Sequence, residues 1–85
     1  MERKLKLRES IYILKESEDV YQVIFTSTRR VKRFSVDGLV KQIIGTLLNG
    51  EQTINNLLKG LSKEFGAEDI AKCIGALESE GIIKS

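Results

Sequence analysis

At 85 residues the chain is one domain, and an apolar fraction of 41% with 31% charged residues is ordinary for a globular protein. It has no histidine and a single cysteine, Cys73, which excludes an internal disulfide, a structural zinc site and the commonest general base. The net charge of +2 is spread unevenly: residues 1–41 carry ten Lys/Arg against six Asp/Glu, and residues 42–85 carry four against six. Such an asymmetry between halves hints at a charged partner.

The function classes that remain are few. The chain holds no GxxxxGK[ST] loop, GxSxG elbow or GxGxxG turn, so neither an enzyme nor a cofactor is expected. No apolar run reaches the length of a membrane span, and the start MERKLKLRES lacks an apolar signal core. A cytoplasmic compartment and no membrane partner are expected. With no proline and no linker, the chain reads as a free-standing domain or one cut cleanly from a larger protein.

Residues 5–36 read as strands. SIYILKE (Ser10 to Glu16) is β-branched and aromatic, and Glu18-Asp19 marks a turn. VYQVIFTS follows, with Tyr21, Val23 and Phe25 on one face and Val20, Gln22, Ile24 and Thr26 on the other. A turn near Ser27-Thr28-Arg29 leads into RRVKRFSV. Short links between three runs predict an antiparallel meander. KLKLR (Lys4 to Arg8) either extends the first strand or pairs separately.

Three helices follow. Val36, Leu39, Val40, Ile43, Ile44, Leu47 and Leu48 keep helical spacing over 36–49, with Ser35 or Asp37 as the cap and Asn49-Gly50 as the stop. The second helix, 53–65, starts at Thr53 and carries Ile54, Leu57, Leu58, Leu61 and Phe65 inward, with Gly66 placed to end it. The third, 67–80, points Ile70, Ala71, Ile74 and Leu77 inward, has Glu68 and Asp69 in its first turn, and stops at Gly81. The fold class is therefore α+β: a winged-helix-like outline in which a three-stranded antiparallel sheet precedes three helices.

Two features bear on function. The strand RRVKRF would leave one edge unpaired, offering backbone N–H and C=O groups to an incoming strand, with Arg29, Arg30, Lys32 and Arg33 to attract an acidic partner. Equally, charge on an edge strand protects against aggregation, and the sequence leaves both readings open. The second feature is the outer face of the third helix, where Lys72, Gly75, Ala76 and Ser79 are spaced i, i+3, i+4 and i+7. The simpler reading of Gly75 is close packing against Gly38 or Gly45 of the first helix, and that of Cys73 is a small buried hydrophobe. A winged-helix outline can also mean DNA binding. Here, however, the last helix sets Glu68, Asp69, Glu78 and Glu80 against Lys72, and that charge opposes phosphate contact.

The opening LRESIYILKESEDVYQVIFTSTRRVKRF, the block VDGLVKQIIGTLLNGEQTINNLLKGL and the close IAKCIGALESEGII together resemble the RiPP recognition elements. These are leader-peptide-binding domains similar to the PqqD peptide chaperone. LLNG followed by a threonine-started helix is similar to the family's lldG-x-x-tv-x-x-l pattern. Ala76 to Ile83 is similar to its L-x-x-x-G-hydrophobic ending. The long hairpin TSTRRVKRF resembles the leader-binding domains of ThiF-like and YcaO cyclodehydratase systems more than PqqD itself. The resemblance implies that a precursor's leader segment adds a strand beside Arg30 to Ser35 and lies against a helix matching Ile70 to Glu80. The implied contacts are Arg30, Val31, Lys32, Arg33, Phe34 and Ser35 on the strand, and Lys72, Cys73, Ala76 and Glu80 on the helix. The implied partners are the precursor peptide, expected to be acidic, and a modifying enzyme in trans or fused. The alternatives are a winged-helix DNA-binding protein and an interaction domain of some other larger enzyme.

Overall fold

The computed structural model describes residues 3–84. The elements in chain order are β1 (Lys4–Leu7), β2 (Ile11–Lys15), β3 (Val20–Phe25), β4 (Arg30–Ser35), α1 (Gly38–Leu48), β5 (Gln52–Thr53), α2 (Ile54–Leu61), α3 (Ala67–Ser79) and β6 (Ile83–Lys84). The fold is α+β, with three helices and two three-stranded antiparallel sheets.

The larger sheet is the expected meander, in the order β2-β3-β4. Alternation along β3 sends Tyr21 and Val23 into the core, with half-buried Phe25 on the same face. The β3–β4 loop ends at Arg29, which takes a positive φ of 56°. KLKLR does not extend the first strand. It pairs separately as β1, the middle strand of a small sheet β5-β1-β6. That sheet draws the chain's first element against its last. Leu5 is fully buried there, and Arg8 N–H donates to the Ile82 carbonyl at 3.0 Å.

The helices form where the apolar stripes place them, with shifted ends, but Leu48 and Ala71 of those stripes are exposed rather than inward. Asp37, not Ser35, caps α1, its carboxylate accepting from Val40 N–H at 2.9 Å. Thr53 caps α2 by accepting from Asn56 N–H at 3.1 Å. α2 ends at Leu61 rather than Phe65, because residues 62–66 fold into a tight turn in which Phe65 N–H still donates to the Leu61 carbonyl. Gly66 is accordingly not a helix stop but the N-cap residue of α3, with φ −70°. α3 closes in a Schellman motif: Gly81 at φ +80° donates to the Glu78 carbonyl, and Ile82 donates to the Leu77 carbonyl.

Helices and sheets share one core. Leu5, Ile43, Ile70, Ile82 and Ile83 lie at its centre, each at most 1% exposed. A satellite cluster of Tyr21, Val36 and Ile44 sits under the meander beside Val40 and Ile13. Gly75 does not pack against α1. A Cβ there would meet nothing within 4 Å, and the same holds at Gly45, while Gly38 approaches Phe65 of the turn before α3. Among the described residues no helix is long and apolar enough to cross a membrane.

Candidate functional site

The site begins with the hydrogen-bond phase of β4. Val36 N–H donates to the Asp19 carbonyl at 2.8 Å, just beyond the last strand pair, Val20 with Ser35. In an antiparallel ladder, residues alternate between bonding the partner strand and facing away from it. Counting back from Val36, the residues Phe34, Lys32 and Arg30 bond to β3. The backbone groups of Val31, Arg33 and Ser35 therefore face the unpaired edge. Side chains alternate by the same register: Phe34 and Lys32 stand opposite Tyr21 and Val23 on the core face, and Val31 and Arg33 stand on the outer face.

Beside that edge lies a cleft of about 190 Å³ between the meander and α3. Phe34 and Ser35 line it from β4, Cys73 and Ala76 from α3 with Glu80 at that helix's C-cap, Val40 and Ile44 from α1, and Val36 from the link between β4 and α1. Tyr21, Val23, Leu77 and Ile82 complete its wall. At its mouth Lys32 Nζ reaches Glu80 Oε2 at 3.3 Å, joining the strand to the helix.

Six of the ten residues singled out from the sequence thus meet at one place: Phe34, Ser35, Cys73, Ala76 and Glu80 in the cleft, with Lys32 across its mouth. Four do not. Arg30 lies exposed at the hairpin end of β4, and Val31 and Arg33 are exposed on the outer face of the sheet. Lys72 lines a neighbouring open groove with Asp37, Leu39, Phe65 and Asp69, which Cys73 borders as well. Val36, before α1, and Val40 and Ile44 within it also line the cleft, although the sequence reads them as core at helical spacing. Their i, i+4, i+8 spacing was the available signal.

The charge of β4 is largely answered within the chain. Arg33 pairs with Glu16 across the outer face, its Nε donating at 3.1 Å, while Gln22 Nε2 donates to the other oxygen of that carboxylate at 2.7 Å. The Gln22 hydrogen bond and then the Arg33 guanidinium hold the Glu16 carboxyl below its ordinary pKa. Burial, with a smaller effect from Asp37, pushes the Cys73 thiol up, so the half-buried sulfur is a poor nucleophile. Among the described residues, Arg29 and Arg30 hold no carboxylate.

A strand edge running beside an apolar cleft can accept an extended peptide. Backbone bonds would form along the edge, and alternate side chains would enter the cleft. Comparison with protein-family models, with curated proteins and with solved structures finds no match to this chain.

Proposed function

We propose that this domain binds the leader segment of a ribosomally synthesised precursor peptide by strand addition along β4, and presents it to a modifying enzyme. One observation carries the reading. The unpaired backbone groups of Val31, Arg33 and Ser35 run beside a cleft walled by Phe34, Ala76 and Glu80, so one extended peptide reaches both. The backbone edge supplies affinity with little sequence preference, and the cleft supplies specificity through an apolar anchor. Ordering a free leader costs part of the gross binding energy, which points to moderate affinity. The resemblance to RiPP recognition elements supports the same assignment of strand and helix.

Titrating the isotopically labelled domain with synthetic leader peptides, from precursor genes adjacent to its own, tests the reading. Amide shifts are expected at residues 30–35 and along α3. Silence at both, or shifts confined elsewhere, would overturn it. Val31→Pro removes an edge-facing N–H without touching the β3 ladder. The variant is expected to fold and to bind the leader about threefold to tenfold more weakly, the net worth of one backbone hydrogen bond. Unchanged affinity in the folded variant would exclude β4 as the docking edge.

A further inference from the structure

The meander has a second unpaired edge, on β2, and its character is opposite to that of β4. The ladder phase is set at both ends of the β2–β3 pair: Thr26 N–H donates to the Ser10 carbonyl at 2.9 Å, and Glu16 N–H to the Val20 carbonyl at 3.0 Å. Even-numbered residues of β2 therefore bond to β3. The backbone groups of Ile11, Ile13 and Lys15 face outward, and among the described residues no strand pairs with them. On the outer face Tyr12 is 64% exposed and Leu14 51%.

Edge strands are usually guarded by charge, proline or a bulge. β2 has no proline, and its regular register contains no bulge. Its charges are drawn away from the edge. Lys15 lies over the Tyr21 ring at 5.9 Å on the inner face, and Glu16 is held by Gln22 and Arg33 across the sheet. β4, by contrast, carries three basic residues, of which Arg30 has no carboxylate among the described residues while Lys32 and Arg33 are answered by Glu80 and Glu16.

We infer that β2 is a homodimerisation edge, pairing antiparallel with β2 of a second copy about a two-fold axis at Ile13. This is independent of the peptide-binding reading. The sequence Ile11-Tyr12-Ile13-Leu14-Lys15 is self-complementary about that point. Ile13 faces Ile13 of the other copy, and Ile11 faces Lys15. All the outward-facing N–H and C=O groups then find partners. Tyr12 comes opposite Leu14 of the other copy at a non-hydrogen-bonded position, where side chains stand closest. The two exposed apolar groups thus cover each other on both sides of the axis. No like charges face across the junction, which is why a second copy is favoured over a partner of another kind. The interface is isologous and closes at two copies, and it leaves both β4 edges free.

Sedimentation of the intact chain over a range of concentrations tests this. A reversible monomer–dimer equilibrium is expected. Leu14→Lys should shift it at least tenfold toward monomer, because the two new charges would stand roughly 7–8 Å apart on the diagonal of the junction. Ile13→Pro should do the same by removing the central N–H. Leu14 is an exposed residue, so its variant serves even if Ile13→Pro fails to fold. Val31→Pro, on the other edge, should dimerise as the unaltered chain does. A chain that stays monomeric up to its solubility limit overturns the inference. So does a dimer that survives Leu14→Lys, or one lost in folded Val31→Pro.

Discussion

At the scale of single residues, the two glycines of α3 and its stop have opposite meanings. Gly81 sits at φ +80°, where an L side chain is strained, and a Cβ there would lie 3.7 Å from Cε1 of Phe25. Gly81→Ala should therefore cost about 1–2 kcal/mol, mostly from the left-handed backbone. Gly75 lies mid-helix and exposed, and a Cβ there would meet nothing. It carries the entropic cost of glycine with no packing return, so Gly75→Ala should stabilise the domain by about 0.5–1 kcal/mol. Urea unfolding of the two variants beside the unaltered chain checks both signs. A destabilised Gly75→Ala would mean that the backbone of α3 has a constraint its open surroundings do not show. Helical spacing alone could not separate the two cases. Gly75 follows the stripe that a packed face would follow, and only the position of α1 shows that nothing fills the space.

At the scale of elements, legibility followed the length of the periodic signal. Leu39, Ile43, Ile44 and Leu47 repeat over three turns, and all are buried in α1. Tyr21, Val23 and Phe25 alternate over β3, and the strand faces are as the alternation predicts. β5 and β6 are two residues long and carry no period, so the small sheet was invisible except as the isolated alternation of Lys4 to Leu7. Phe65 keeps the spacing of the α2 stripe and packs against the core, yet it does so from a turn. A side chain can hold its place on an apolar face after the backbone has left the helix. β1 matters more than its four residues suggest, because it joins the start of α2 to the end of the chain. Leu5→Ala empties a fully buried position in it and should cost about 2–5 kcal/mol. Loss of amide protection should come first at Lys4–Leu7 and Ile83–Lys84, with the meander retained longest. Hydrogen exchange on the variant reads this order, and uniform loss across both sheets would show that the small sheet is no separate unit.

At the scale of the whole molecule, the sequence shows a basic strand and an acidic helix, and the fold turns that contrast into one bridge between them and a second within the meander. Lys32 is answered by Glu80, the C-cap residue of α3, and Arg33 by Glu16, just after β2. Among the described residues Arg29 and Arg30, at the hairpin end, hold no carboxylate, and on the proposed reading they are the charges beside β4 left to steer an acidic peptide. Distant steering depends on uncompensated charge and acts on the association rate, whereas contacts in the cleft act on the dissociation rate. The double variant Arg29→Ala/Arg30→Ala lowers the net charge by two and should slow association with an acidic leader, most clearly at low salt. Lys32→Ala/Glu80→Ala leaves the net charge unchanged and removes the bridge at the cleft mouth, so it should alter dissociation and leave association close to that of the unaltered chain. Strand addition adds backbone bonds that salt screens little. A protein holding about 6–10 phosphates loses about 10³–10⁵ in affinity between about 50 mM and 200 mM salt. On the proposed reading, leader binding should lose far less over the same range. Stopped-flow measurements of both variants across that range separate the two effects. Equal slowing of association by both would place the steering charge on Lys32 as well, and a salt dependence as steep as that of phosphate binding would favour a nucleic-acid partner.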